Sequence, residues 1–121
     1  MMNPYLQVAI GGAIGSVARL GMYRAIPAQG FPLATFAVNV GGSLVMGLLA
    51  ALLAQRGGAW APLLLTGVLG GFTTFSAFSL DALTLWERGQ GALAALYVAA
   101  SVLLSLAAVF LGMAMGRGGF A

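Results

Sequence analysis

The chain lacks two of the residue types on which most catalytic and metal-binding sites depend. It contains no cysteine and no histidine, and only 6% of its 121 residues are charged. Without cysteine there is no disulfide and no thiolate nucleophile. Without histidine there is no imidazole to bind a metal or to act as a general base. The few acidic residues form no spaced carboxylate pair, and no serine lies in a pattern with a base. The sequence therefore predicts that the protein is not an enzyme.

What is abundant instead is hydrophobic sequence, which makes up 61% of the residues. A water-soluble domain of this length needs more polar surface. Four apolar segments follow one another at about residues 4–24, 32–54, 62–86 and 91–115, separated by short loops. Each approaches or exceeds the ~20 residues that a helix needs to cross a bilayer. We therefore expect one all-α membrane domain over residues 1–121, a bundle of four transmembrane helices.

The arginines give almost no indication of orientation. In a four-span chain Arg56 and Arg117 lie on one face of the membrane, and Arg24 and Arg88 lie on the other, with Arg19 close behind Arg24. Positive residues normally accumulate on the cytoplasmic side. Two interpretations are open: the charges are too few to interpret, or the chain inserts in both orientations. Dual insertion would permit an antiparallel homodimer.

The third segment carries the strongest functional signal, at residues 67–78. Gly70 and Gly71 weaken a helix, and the hydroxyls of Thr73, Thr74 and Ser76 compete for backbone hydrogen bonds. Non-helical backbone at membrane depth is tolerated only where it is buried in protein or lines a watery cavity. A broken third helix is therefore predicted, and such a break indicates an ion or substrate site.

Polar residues recur every four positions on the second and fourth segments. Residues at this spacing share one helix face, so each set predicts a polar track. A single serine or threonine in a membrane helix often bonds only its own backbone, but a buried asparagine needs several partners and favours a functional site. The two tracks are Thr35, Asn39 and Ser43, and Tyr97, Ser101 and Ser105.

Two phenylalanines follow the predicted break at a spacing that places them on one helix face. Phe75 and Phe78 are either packing residues or the walls of an anion path. The second interpretation is physically reasonable because the edge of an aromatic ring is electropositive and attracts an anion weakly. A permeating ion must bind well enough to enter and weakly enough to leave.

Arg19 and Asp81 are the charged residues inside the hydrophobic segments. Both lie near the same predicted membrane face, so they are expected at similar depth. Arg19 either extends its head group to the interface or contributes to a pore vestibule, where it would pair with Asp81 or add to a set of charges.

Three sequence stretches together resemble one family, the Fluc/CrcB fluoride channels. The similarity covers nearly the whole chain, and its third-helix motif is long and specific. The stretches are Gly-Gly-Ala-Ile-Gly-Ser-Val-Ala-Arg at 11–19, Thr-Phe-Ala-Val-Asn-Val-Gly-Gly-Ser at 35–43, and Gly-Val-Leu-Gly-Gly-Phe-Thr-Thr-Phe-Ser-Ala-Phe at 67–78.

The resemblance implies an antiparallel, dual-topology homodimer in the bacterial inner membrane that lowers cytoplasmic fluoride by passive efflux through two pores. It implies that Phe75 and Phe78 form an aromatic box and that Asn39 is an anion donor. It also implies a structural sodium ion (Na⁺) at the dimer centre, bound by the backbone carbonyls of Gly70 and Thr73 from both subunits. The implied polar track consists of Thr35, Tyr97, Ser101 and Ser105.

The chain departs from the family pattern in two places, and other functions stay open on the residues alone. Ala77 stands where the family often has threonine, and Asp81 stands where it usually has glutamate. A small dual-topology multidrug-type transporter would need a carboxylate in the first helix, where none lies. A proton-coupled fluoride antiporter would need an acid on the pathway, for which only Asp81 is available. A non-conducting membrane assembly protein would not require aligned polar tracks.

Overall fold

The computed structural model describes residues 2–27 and 30–118, and over these residues the chain is helical, with no strand. Two long helices come first, α1 (Pro4–Ala25) and α2 (Leu33–Arg56). The third rod is composite: a π-helix (Pro62–Leu69) continues into the short α3 (Gly70–Phe72), and α4 (Phe75–Glu87) follows after an interruption. The last helix is α5 (Gly91–Gly116). The prediction of an all-α protein is confirmed, and the interruption lies inside residues 67–78.

Three stretches of the described chain are long and apolar enough to cross a membrane: Leu33–Arg56, Pro62–Glu87 and Gly91–Gly116. The sequence predicted four spans. Helix α1 has 22 residues and so has sufficient length, but it is not one of the three. The polar Gln7 and the charged Arg19 and Arg24 make it less apolar than the others.

The bundle consists of two parallel helix pairs whose backbones approach closely at glycines. In the first pair α1 lies against the π-helix and α3, and a Cβ on Gly11 would lie 2.9 Å from the Cα of Gly67. In the second pair α2 lies against α5, and a Cβ on Gly112 would lie 2.8 Å from the amide nitrogen of Leu48. Small residues permit this approach in membranes, where dispersion and packing replace the hydrophobic effect.

A buried apolar cluster lies beyond the interruption and joins α4 to α5. It consists of Phe78, Leu85, Ala94 and Tyr97. The Tyr97 side chain is fully buried, and its ring centroid lies 5.1 Å from that of Phe78. Phe31, just before α2, contacts the same tyrosine edge-on at 5.4 Å. This cluster fixes the position of α4 relative to α5 and the start of α2.

Candidate functional site

The interruption of the third rod is a well-defined change of backbone conformation at Thr73 and Thr74. Both residues are extended, with φ and ψ of −87° and 158° for Thr73 and −152° and 121° for Thr74. Thr73 still closes the preceding turn, because its amide donates to the Leu69 carbonyl at 3.0 Å. The Thr74 hydroxyl accepts a hydrogen bond from the Ala77 amide at 3.1 Å and so caps the N-terminus of α4. One helix therefore ends and a capped second helix begins within two residues.

The Asn39 side chain supplies the hydrogen bonds that the interruption removes. The Thr74 amide donates to Asn39 Oδ1 at 2.8 Å, and Asn39 Nδ2 donates to the Thr74 carbonyl at 2.9 Å. Thr74 is buried, and its backbone would be costly to leave unpaired. Asn39 thus stabilises the non-helical backbone from α2, a use that its sequence position did not indicate. One hydrogen of Nδ2 is left for another acceptor.

Two backbone carbonyls at the interruption lose the amide partners that a continuous helix would give them. In a continuous helix the Gly70 carbonyl would accept a hydrogen bond from the Thr74 amide, which donates to Asn39 instead. Thr73 would accept from the amide of Ala77, which donates to the Thr74 hydroxyl. Gly70 is also exposed at the surface of the single chain. Both carbonyl oxygens, predicted as sodium ligands, are therefore free of these helical hydrogen bonds, and oxygen is the ligand that a hard cation prefers.

A cleft of about 270 Å³ lies beside the interruption and is open along one side. It brings together six of the residues predicted for the fluoride pathway, from α2, α4 and α5: Asn39, Ser43, Phe75, Phe78, Ser101 and Ser105. Gly42, Met46, Thr73, Thr74 and Val102 complete its lining. The side chains on this wall are hydroxyls, one amide, aromatic rings and aliphatic groups. None of them carries a charge.

Among the lining groups the Ser101 hydroxyl is exceptional, because it is buried and yet has no hydrogen-bond partner in the described part of the chain. The residue is only 5% exposed, and its oxygen is buried. A buried hydroxyl normally bonds a protein group or an ordered water. Serines in helices usually satisfy the hydroxyl on their own preceding turn, as Ser79 does with the Phe75 carbonyl at 3.0 Å. Ser101 therefore offers an unused donor at the wall of the cleft.

The two phenylalanines occupy different surroundings, although their ring centroids are only 5.5 Å apart. Phe78 is 8% exposed and belongs to the buried apolar cluster. Phe75 is 77% exposed in the single chain. Both rings line the cleft, so the sequence prediction of a shared helix face agrees with their positions. Within the single chain Phe75 therefore has few protein neighbours to pack against.

Thr35 and Tyr97, also predicted for the polar tracks, are not in the lining of this cleft. The Thr35 hydroxyl donates to the Tyr23 hydroxyl at 3.0 Å. The Tyr97 hydroxyl donates to Asp81 Oδ2 at 3.3 Å. Both residues are buried, and each lies about one helical turn before its partner on the same helix, Thr35 before Asn39 and Tyr97 before Ser101. They form a second polar region beyond the aromatic pair.

Arg19 lines a separate cavity of about 360 Å³, together with Tyr23, Thr74, Ser76 and Leu80. Thr74 lines both cavities, so the interruption separates the arginine from the cleft. Within the described residues no ion pair joins Arg19 to Asp81, whose carboxylate accepts from Tyr97 instead. The two predicted vestibule residues therefore form no direct pair in the described part of this single chain.

Three lining residues were not selected from the sequence, and two of them had a detectable signal. Met46 follows Asn39 and Ser43 at helical spacing, so the periodicity of the track would include it. Gly42 lies beside Ser43, and its missing side chain leaves room for Thr73, whose Cγ2 would meet a Cβ there. Val102 had no distinguishing feature, because an aliphatic residue next to Ser101 is typical of any membrane helix.

These features define the class: a multi-pass helical membrane protein with a polar, uncharged cleft beside an interrupted helix. Residues 6–113 match the family model described as CrcB-like protein, Camphor Resistance (CrcB). The chain belongs to this CrcB-like family.

Similar proteins are found in several bacteria. The chain is 62% identical over 126 residues to a protein of Paracoccus denitrificans, with all of both chains covered. It is 56% identical over 122 residues to one from Cereibacter sphaeroides and 50% identical over 123 residues to one from a Ruegeria species, with 98% of each chain covered in both cases. All three bear the name fluoride-specific ion channel FluC. A channel is not an enzyme, as the residue composition predicted.

Proposed function

We propose that this protein is a fluoride-selective channel that conducts fluoride passively across the bacterial inner membrane and so lowers cytoplasmic fluoride. The names of its relatives support this function. The observation in the structure that supports it best is the buried Ser101 hydroxyl, which lacks a partner at the wall of a cleft rich in other polar groups. A hydroxyl held in this state is ready to donate to an anion.

The chemistry of the cleft suits a small, strongly hydrated anion. The hydroxyls of Ser101, Ser105 and Ser43 and the second Nδ2 hydrogen of Asn39 would replace water around the ion. The ring edges of Phe75 and Phe78 would attract it without holding it as tightly as a full charge. None of the described lining residues is charged. Binding is therefore moderate, which fast conduction requires.

The proposed path continues through two neighbouring polar regions at one end of the cleft. Beyond Phe78 it passes the hydroxyls of Thr35 and Tyr97, near the carboxylate of Asp81. The cavity lined by Arg19 and Ser76 lies at this same end, since its lining residue Tyr23 bonds the Thr35 hydroxyl, and it serves as a vestibule that attracts anions. Thr74 lies between this vestibule and the cleft.

We propose further that α1 is a fourth span and that two chains assemble as an antiparallel homodimer of dual topology. The balanced arginines permit both orientations. The open side of the cleft and the exposed Phe75 ring need a covering surface, because a conducting path at membrane depth must be closed to lipid. A second copy would provide it, and each dimer would then contain two paths.

A structural sodium ion at the centre of this dimer is part of the proposal. The carbonyls of Gly70 and Thr73 have lost their helical partners, and Gly70 is exposed. Carbonyls from two chains would repel one another across the two-fold axis unless a cation lay between them. When bound, sodium would supply the positive charge that holds the two interruptions together, away from the anion path.

The alternatives from the sequence are less well supported by this site. A multidrug-type transporter needs a carboxylate in the first helix, where none lies, and a proton-coupled antiporter needs a titratable acid within the cleft, whose described lining has none. Asp81 already accepts a hydrogen bond from Tyr97 beyond the cleft. A non-conducting assembly protein gives no reason for an unpaired hydroxyl at Ser101.

Ion flux from purified protein tests the function directly. Liposomes loaded with potassium fluoride should empty when valinomycin lets potassium leave, whereas liposomes loaded with potassium chloride should stay full. Protein-free liposomes are the control. Chloride efflux at the same rate would disprove the selectivity, and retention of both anions would disprove the channel.

A further inference from the structure

Gln7 is a polar residue whose place in the structure the permeation path does not explain. It lies in the second turn of α1 and is only 2% exposed. Its Nε2 donates to the Met2 carbonyl at 2.9 Å, and its Oε1 accepts from the Leu63 amide at 3.2 Å. A buried amide side chain is unfavourable unless it is hydrogen-bonded, so this side chain is stable only where both partners are in place.

The bond to Leu63 satisfies an amide at the start of the π-helix. The first turn of any helix leaves amides without intrahelical partners. Here Pro62 has no N–H, and the Leu64 amide donates to the Trp60 carbonyl at 3.0 Å. The Leu63 amide instead donates across to α1, through Gln7. Gln7 therefore fixes the first turn of the π-helix against α1.

The face of α1 that contains Gln7 is the face that packs on the third rod. The buried residues of α1 are Gln7, Gly11 and Gly15, spaced four apart. The two glycines contact the backbone between Leu63 and Phe72. Glycine contacts allow close approach but make no directional bond. Gln7 is the buried residue of this face that makes a directional hydrogen bond, and this bond selects one register of α1 against the third rod.

The register matters because the π-helix connects directly to the interruption. A π-helix holds more residues per turn than an α-helix and is normally limited to a single turn, often at functional sites. If Pro62–Leu69 relaxed to an α-helix, the helical register would shift by one residue. The following backbone would then move by about 1.5 Å and rotate by roughly 100°. Such a change would displace the Gly70 carbonyl and the Phe75 ring.

We propose that Gln7 is a positioning residue that holds the π-helical register of Pro62–Leu69 and thereby places Gly70, Thr73 and Phe75 for conduction. The inference rests on the proposed channel function. It predicts that loss of the Gln7–Leu63 bond changes ion passage through correctly assembled protein and does not act only on folding.

The test compares Gln7→Met, which keeps the volume but removes both hydrogen bonds, with Gln7→Asn, whose amide is about 1.5 Å too short to reach both partners. Gln55→Met is the control for the loss of a glutamine–carbonyl bond, since the exposed Gln55 donates to the Gly116 carbonyl at 3.1 Å in the helix pair without the interruption. Liposomes should contain at most one channel each. The fraction that empties then counts active channels, and the rate per emptied liposome reports turnover.

Gln7→Met and Gln7→Asn should lower the fluoride rate per active channel by about tenfold or more, because a shift of ~1 Å in the groups that contact the ion is costly, and should lower the ratio of fluoride to chloride rates. Gln55→Met should match the wild type in both. If the Gln7 variants reduce only the number of active channels, with wild-type rate and ratio, the positioning role is wrong. A wild-type rate and ratio in Gln7→Asn overturn it even if Gln7→Met does not fold. Absence of fluoride efflux from the wild type would overturn the channel function itself.

Discussion

The side chain of Asn39 and the backbone of Thr74 exchange two hydrogen bonds, of 2.9 and 2.8 Å, between α2 and the interrupted rod. The non-helical backbone is therefore paired through a neighbouring helix, as membrane depth requires. Asn39 has two functions at once: it supports the interruption, and it lines the cleft.

Asn39→Ala should therefore impair stability as well as conduction. It leaves the amide and the carbonyl of Thr74 buried without partners, so the free energy of unfolding should fall by about 2 to 4 kcal/mol. Thermal unfolding in detergent and fluoride efflux measure the two effects. Gln55→Ala, on the exposed end of the same helix, is the control. Unfolding of Asn39→Ala at the wild-type temperature would show that Asn39 does not support the interruption.

Replacing either phenylalanine with isoleucine should reduce fluoride efflux severely, because the electropositive ring edge is lost while most apolar volume stays. The two variants should differ in stability. Only Phe78→Ile should destabilise the fold, by about 1 kcal/mol, because Phe78 packs on Tyr97 in the buried cluster. Gel filtration and thermal unfolding accompany the efflux measurement. Phe110→Ile, at an exposed position of α5, is the control. Wild-type efflux in both variants would assign the rings to packing.

Ser101→Ala should have opposite effects on stability and on conduction. Removing a buried hydroxyl that has no partner should stabilise the protein by about 1 kcal/mol, whereas fluoride efflux should fall because a donor is lost from the path. Ser79→Ala is the matched control, since that hydroxyl bonds the Phe75 carbonyl and its loss should give no stabilisation. A Ser101→Ala protein that melts earlier than the wild type would mean that the hydroxyl has a partner in the membrane.

The close contact between α1 and the third rod can be tested with two glycines of one helix. A Cβ on Gly15 would lie 2.8 Å from the Phe72 amide nitrogen, whereas a Cβ on Gly21 would meet nothing within 4 Å. Gly15→Ala should lower the free energy of unfolding by about 1 to 3 kcal/mol through overpacking. Gly21→Ala should be neutral or slightly stabilising, because alanine favours a helix over glycine by ~1 kcal/mol. Equal melting temperatures for the two variants would contradict the contact.

Dual topology can be tested with single cysteines because the natural chain has none. Ala59→Cys and Gln90→Cys place a thiol in the loops that follow α2 and α4. If the dimer is antiparallel, a membrane-impermeant maleimide should label each variant from both sides, about half of the protein from each. Labelling from one side alone would disprove dual topology and would leave the proposed sodium site without a geometric basis.

The helices were predictable from local sequence, because their ends depend on local signals. Long apolar runs define them, and Pro4 and Pro62 begin helices where a missing amide costs least. The glycines and hydroxyls of residues 67–78 also marked the interruption. The π-helix was not predictable, since its backbone packs on Gly11 and bonds the Gln7 side chain of another helix, and no local pattern encodes these contacts.

The sequence predicted which helix faces contribute to the candidate site. It did not predict how far the cleft extends across the membrane. Spacing placed Thr35 with Asn39 and Tyr97 with Ser101, and each pair does share a helix. Periodicity does not tell how far along the membrane normal a cleft extends, and Thr35 and Tyr97 lie outside its lining. The Asn39–Thr74 bonds and the partner of Gln7 each join segments distant in sequence, which no local pattern encodes.

Phe78 belongs both to the wall of the cleft and to the buried cluster with Leu85, Ala94 and Tyr97. A substitution there that altered ion passage would also loosen the packing of α4 on α5. Adaptive change at this position is therefore constrained by folding. Phe75 lines the same cleft but lies outside that cluster, so a single substitution there can alter passage without a large loss of stability. We expect evolutionary tuning of conduction in such proteins to proceed through the residue at position 75 before the residue at position 78.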